Sequence, residues 1–229
     1  MGECLWLTGE HTRSFEVTSR ALETADALEV FPSQVASRFV LGHACHALGN
    51  RPQAVEFLSK NVECLVGDLL NRRLGHAGIA SVLSRTWLAW SLGELGDFSL
   101  AFARATEALQ IADAAAHPFS QASARLSLGV LHVLLGDPRR AVHVLEPAQD
   151  LCRTWELSLN LPFVAGYLGP AYAGSDNFAR ADALVKNAAS AAASMGIRCG
   201  QALLVACQGE VQARTGLEGG LSLSVKRWP

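Results

Sequence analysis

Three apolar runs end alike, in Leu48-Gly49-Asn50, Leu95-Gly96-Asp97 and Leu135-Gly136-Asp137, and each reads as a helix stop. With the glycine as anchor the series is Gly9, Gly49, Gly96, Gly136, Asp176 and Gly216, in steps of 40, 47, 40, 40 and 40 residues. A fixed period of this size describes a stack of one supersecondary unit, in which each copy buries its apolar face against its neighbours.

The unit follows from what surrounds the anchors. Seven residues before them stand Gly2, Gly42, Ala89, Gly129, Gly169 and Gly209, and five after them Ser14, Ala54, Ala101, Ala141, Ala181 and Leu221. Two helices joined by a short turn approach closely only where side chains are small, so the pattern predicts an αα-hairpin: helix A, Gly-Asp turn, helix B. Phe98, Ala101, Ala105, Ala108, Leu109 and Ala112 follow helical spacing, as do Val142, Leu145, Ala148 and Cys152. No run of β-branched and aromatic residues alternates with period two, and Pro52 and Pro138 sit early in helix B, where a missing N–H costs nothing. The fold class expected is all-α.

Composition narrows the function. Half of the 229 residues are apolar and 17% are charged, too few for long intrinsic disorder. Nineteen Lys+Arg against 21 Asp+Glu leave a net charge of −2, which gives no counterion-release drive toward nucleic acid or an anionic membrane. The six cysteines include no Cys-x-x-Cys pair and lie mostly in apolar stretches, as reduced, buried thiols of a cytoplasmic chain do. The first residues lack an export signal. Leu157 to Ser175 is uncharged and just long enough to span a membrane, but Asn160, Pro162, Gly166, Gly169, Pro170 and Gly174 interrupt it, and the repeat assigns it to a hairpin. No membrane partner is expected.

Leu41-Gly42, Leu128-Gly129 and Leu168-Gly169-Pro170-Ala171-Tyr172, with Ala54, Ala101, Ala141 and Ala181 behind them, resemble the tetratricopeptide repeat (TPR). That family repeats at 34 residues and ends helix B with a proline; here the period is 40 and the proline is missing, so helices about one turn longer are expected. The resemblance implies a right-handed superhelical solenoid of antiparallel hairpins. From about Phe39 to Gly209 the chain further resembles the C-terminal repeats of bacterial signalling proteins that join a class III adenylate/guanylate cyclase domain, an ATPase module and such repeats. Leu41 to Gly49, Ser81 to Leu88 and Ala193-Ser194-Met195-Gly196-Ile197 carry that likeness. No Gly-x-x-x-x-Gly-Lys-Ser/Thr phosphate loop and no cyclase segment is present, so neither activity is carried over, and no cofactor is assigned. The chain reads as a fragment of such a protein, with residues 1–216 as the repeat domain and 217–229 as an incomplete last helix or frayed tail that leaves an uncapped, self-associating end.

Candidate chemistry is sparse. His43, Cys45 and His46 crowd one helix A, but no third metal ligand follows, and groove histidines are the simpler reading. Arg38, Arg85 and Arg125 stand eleven residues before their anchors and should form a column. Such a column either binds an acidic segment or phosphate, or each guanidinium lies on the inter-helix seam and pairs with a helix B carboxylate such as Glu63 or Glu107; the second is expected. The long step adds seven residues between Val66 and Ser81, predicting a longer helix B and a loop.

Mapping the family's concave positions implies a mostly apolar groove: Phe39, His43, His46, Thr86, Trp90, Glu94, Leu126, Val130, Leu134, Phe163, Pro170, Glu210 and Arg214. Where relatives that clamp carboxylates carry Lys and Asn, this chain has Val40, Trp87, Ser127 and Tyr167. The groove therefore suits an apolar helix or extended segment, including one from the parent protein's own domains, unless the stripe packs on itself. The expected role is a non-catalytic interaction and regulatory scaffold. The alternative is a small-molecule sensor with a pocket near Trp90, Phe163 and Tyr167.

Overall fold

The Leu-Gly-Asn/Asp turns close as their chemistry dictates. Gly49, Gly96 and Gly136 take φ of 86°, 87° and 71°, the left-handed region that a β-carbon disfavours. The next amide donates back to the carbonyl five residues earlier: Asn50 to Cys45 at 2.9 Å, Asp97 to Leu92 at 3.0 Å and Asp137 to His132 at 2.9 Å. The side chains of Asn50, Asp97 and Asp137 then accept from the backbone N–H of Gln53, Leu100 and Arg140, so one dipeptide ends a helix and caps the next.

The computed structural model describes residues 1–199 and 201–214. Their helices are α1 (Gly2–Leu7), α2 (His11–Ala27), α3 (Phe31–Ala47), α4 (Arg51–Cys64), α5 (Ala80–Glu94), α6 (Phe98–Ala114), α7 (Pro118–Leu134), α8 (Pro138–Thr154), α9 (Leu161–Gly174), α10 (Phe178–Ser194) and α11 (Gln201–Arg214), with a 3-10 turn at Gly67–Leu69 and no strand among the described residues. Six of these helices are 17 residues long, the added turn that the 40-residue period requires. The anchor Gly216 and the segment 217–229 lie outside the described residues, as do the side chains of Leu203 and Arg214.

Two compact units form, Met1–Ser127 and from Leu128 on, with the boundary inside α7. In the first, each helix from α1 to α6 packs on the next; in the second, α8, α9, α10 and α11 do the same, and α9 also meets α11. The small residues stand where the hairpin needs them: Ser14, Ala54, Ala101, Ala141 and Ala181 are all fully buried. A β-carbon on Gly42 would come within 2.6 Å of Leu58, one on Gly129 within 2.3 Å of Leu145, and one on Gly169 within 2.4 Å of Val185. Each partner lies sixteen residues further on. Where Ala89 replaces glycine, the same register supplies Ala105, and both are fully buried.

The insertion differs from expectation. Instead of a longer helix B, α4 is 14 residues long, and the extra chain forms the 3-10 turn and a loop. Gly67 and Gly75, at φ of 57° and 87°, break helical continuity there. The loop is tied down: Ala80 N donates to Arg72 O at 3.1 Å, Arg73 Nε to His76 O at 3.1 Å, and Ile79 N to Ser120 Oγ at 2.9 Å. Leu69 and Leu74 pack on buried Val35, Leu65 and Ala80.

A second family of turns joins each helix B to the following helix A. Glu29, Ala116 and Glu156 hold φ of 54°, 48° and 52°, with Gly196 at 68°. The last three are spaced by 40 residues, like the anchors.

Candidate functional site

In the first unit the A-helix positions converge on an aromatic and imidazole cluster. Phe39, His43, His46, Thr86 and Trp90 are all buried. The His43 ring lies 4.0 Å from Phe39, 4.1 Å from Trp87 and 4.8 Å from Trp6, while Trp87 stacks on Trp90 at 4.7 Å. From α1, Trp6 meets Trp87 edge-on at 5.5 Å, and from the inserted loop buried His76 meets Phe39 at 4.8 Å. The stripe is filled by its own side chains in this unit, so a partner reaching Trp90 would have to part the cluster.

Polar groups are disposed around this packing. His46 Nδ1 shares a hydrogen bond with Ser91 Oγ at 2.9 Å. Glu94 takes the Trp90 indole N–H at 2.9 Å and the Arg51 guanidinium. Burial pushes the His46 pKa down to about 4 against the opposing pull of Glu94, so the imidazole is neutral at pH 7 and its 3.6 Å approach to Glu94 is no ion pair there. Both ring nitrogens of His43 are buried without a hydrogen-bond partner among the described residues, and burial, with His46 and His76 adding to it, holds its pKa well below the usual value. The ring N–H is left to the faces of tilted aromatic neighbours. Neutral, enclosed imidazoles of this kind hold shape. Among the described residues no group of three or more His, Cys, Asp or Glu is placed to hold a metal ion.

The arginine column is committed to carboxylates. Arg38 lies 3.7 Å from Asp26, Arg85 3.2 Å from Glu107, and Arg125 3.1 Å from Asp113. Arg85 is 6% exposed and also donates to Ser81 O at 3.1 Å. Of the two carboxylates named for the column, Glu107 pairs with Arg85, while Arg38 takes Asp26 of the preceding helix B rather than Glu63.

The second unit leaves an opening on its A-helix side. Val133, Gly136, Pro138, Pro170, Ala171, Gly174 and Glu210 line a cavity of 350 Å³, so the structure brings the candidates Pro170 and Glu210 together. Val130 is fully buried, Leu134 is exposed beside the turn, and Phe163 and Tyr167 are half-buried on α9. Leu126 is buried in the first unit, and Glu94 sits at the edge of its cluster. Trp90 belongs to the first unit, Phe163 and Tyr167 to the second.

Comparison with solved structures decides the fold. The kinesin light chain TPR-like repeats of Podosopora anserina, nearly identical to one another, superpose with a TM-score of 0.56 at 18% identity over 84% of this chain and 92% of that one, and a single-substitution variant of the same protein with 0.57 over the same shares. The fold is a TPR-like repeat array. No known family matches the sequence, and no curated protein matches it. Among the described residues of this array no helix is long and apolar enough to cross a membrane.

Sequence reasoning placed the A-helix stripe but missed Trp6 and His76, which help enclose it. His76 lies outside the regular helix A pattern, in the inserted loop, but Trp6 lies within it, in α1, three residues before Gly9 as His46 is before Gly49. That shared offset was the available signal for Trp6.

Proposed function

We propose that this TPR-like array is a non-catalytic, cytoplasmic interaction scaffold, and that a partner polypeptide docks as an extended, largely apolar segment on the A-helix side of the second unit. The observation that carries the reading is the contrast between units: the corresponding stripe of the first is filled by Trp6, His43, Trp87 and Trp90, whereas Val133, Pro138, Pro170 and Ala171 border an opening in the second. At 350 Å³ the opening admits a few side chains, not a helix about 10 Å across, which favours an extended segment. The resemblance to cyclase–ATPase–TPR signalling proteins of bacteria supports a regulatory role in which that segment comes from the parent's own modules.

Selection of displayed peptides on the folded chain tests this. Apolar, extended sequences should be enriched and should lose binding to Val133→Lys. Peptides that bind this variant as well as wild type, or acidic peptides that depend on Arg38, Arg85 and Arg125, would overturn the assignment.

A further inference from the structure

The second unit also has a polar cleft between α8, α9 and α10, away from the A-helix opening. Its volume is 470 Å³, within the range of small-molecule sites. On α8, Gln149 and Arg153 stand one turn apart and both line it. Gln149 is 5% exposed, with its carboxamide still reached by solvent and making no hydrogen bond among the described residues. Arg153 takes no ion pair among them either.

The opposite side is already neutralised. Tyr172 donates to Glu146 Oε1 at 2.7 Å, Arg180 lies 2.9 Å from the same oxygen, and the Arg180 guanidinium covers the Tyr172 ring at 4.5 Å. Burial, with the hydrogen bond to Glu146 adding to it, pushes the Tyr172 phenol up to about 12, so it stays a neutral donor. One positive charge, that of Arg153, is left over beside an unpartnered carboxamide, and Leu161 and Leu184 supply an apolar wall.

We propose that this cleft binds a small monocarboxylate with an apolar body, its carboxylate on the Arg153 fork with a further hydrogen bond from the Gln149 amide, and its body against Leu161 and Leu184. A guanidinium presents two parallel N–H donors that match a planar carboxylate. A single unmatched charge suits a monoanion better than phosphate.

Calorimetric titration of the full chain with hexanoate and phenylacetate tests the proposal, with phenylacetamide, inorganic phosphate and an N-acetylated tetrapeptide bearing a free C-terminus as comparisons. The expected result is a Kd of about 1 mM or tighter for at least one monocarboxylate, about tenfold or more weaker for phenylacetamide and for Arg153→Gln, and weakened for Gln149→Met. Arg139→Gln, on the same helix but outside the cleft, should bind as wild type does. No carboxylate binding at about 10 mM, equal binding of acid and amide, or unchanged binding by Arg153→Gln would overturn it. Tighter binding of phosphate would make it a general oxyanion site, and tighter binding of the peptide a chain-terminus site; either result also overturns the assignment to a small monocarboxylate.

Discussion

Gly129 lies directly against Leu145: a β-carbon added to the glycine would stand 2.3 Å from both Cγ and Cδ2 of a leucine that is fully buried and has nowhere to go. Helix propensity alone would favour alanine over glycine by about 1 kcal/mol. Overpacking costs about 1 to 3 kcal/mol and should win. Gly129→Leu should therefore lower the melting temperature clearly, Gly129→Ala less, and Gln110→Leu, on an exposed face, almost not at all. Because Ala89 faces Ala105 in the sister hairpin, Gly129→Ala with Leu145→Ala should be less destabilised than the two single changes summed; strict additivity in chemical denaturation would refute the contact.

Acid should loosen the first unit. Burial depresses the pKa of His46 to about 4 and lowers those of His43, His76 and His11. In the folded chain these groups take up protons only at a lower pH than in the unfolded chain, which does so below about 6.5, so stability is fully present above that pH and falls as pH drops toward 4. His46 alone accounts for about 3 kcal/mol over that window. Replacing His46 by Gln should flatten the dependence of unfolding free energy on pH between 6.5 and 4, apart from any loss at neutral pH; an unchanged slope would contradict the assignment.

Two of the column arginines, Arg85 and Arg38, should differ sharply in worth. Arg85 is 6% exposed and binds both Glu107 and Ser81 O, so Arg85→Ala should cost about 2 kcal/mol through lost packing of its buried stem and lost charge-assisted hydrogen bonds, Glu107 keeping Arg104 as a partner. Arg38 faces an exposed Asp26 at 3.7 Å, a contact that salt screens, and Arg38→Ala should cost about 1 kcal/mol or less. Urea unfolding of the two variants at low and high salt distinguishes them.

Ala116 holds a left-handed backbone, φ 48°, at the turn from α6 into α7. Its β-carbon costs about 1 kcal/mol or more there, more than glycine loses in chain entropy. Ala116→Gly should stabilise the chain by about 0.5 kcal/mol, read as a small rise in melting temperature.

Thiol reagents should report burial. Cys4 is exposed, while burial pushes Cys45 up to about 11 and Cys152 and Cys207 up to about 12. Mass spectrometry should find Cys4 modified first in the native chain, and Cys45, Cys152 and Cys207 only on unfolding. Early labelling of Cys152 would mean that α8 does not pack as described.

The period, the hairpin unit, the A-to-B turns and the close helix contacts were written in the sequence by itself, because each depends on a short-range rule: glycine where φ is positive, small residues where two backbones meet, Asn or Asp where a helix begins. The sequence marked Gly42, Gly129 and Gly169 as points of close approach, but their partners Leu58, Leu145 and Val185 came from the tertiary structure. What the sequence left open was whatever depends on elements distant along the chain. It did not reveal that Trp6 and His76 would close over His43, nor that Arg38 would choose Asp26. It also did not foretell that Glu29, Ala116 and Glu156 would be forced into the left-handed region, since no residue preference marks them. Whether an apolar stripe becomes a groove or a core is set by what packs against it, and only the tertiary structure decided that: in the first unit α1 and the inserted loop bring their own side chains to it, and burying those aromatics is worth more than leaving the stripe to water.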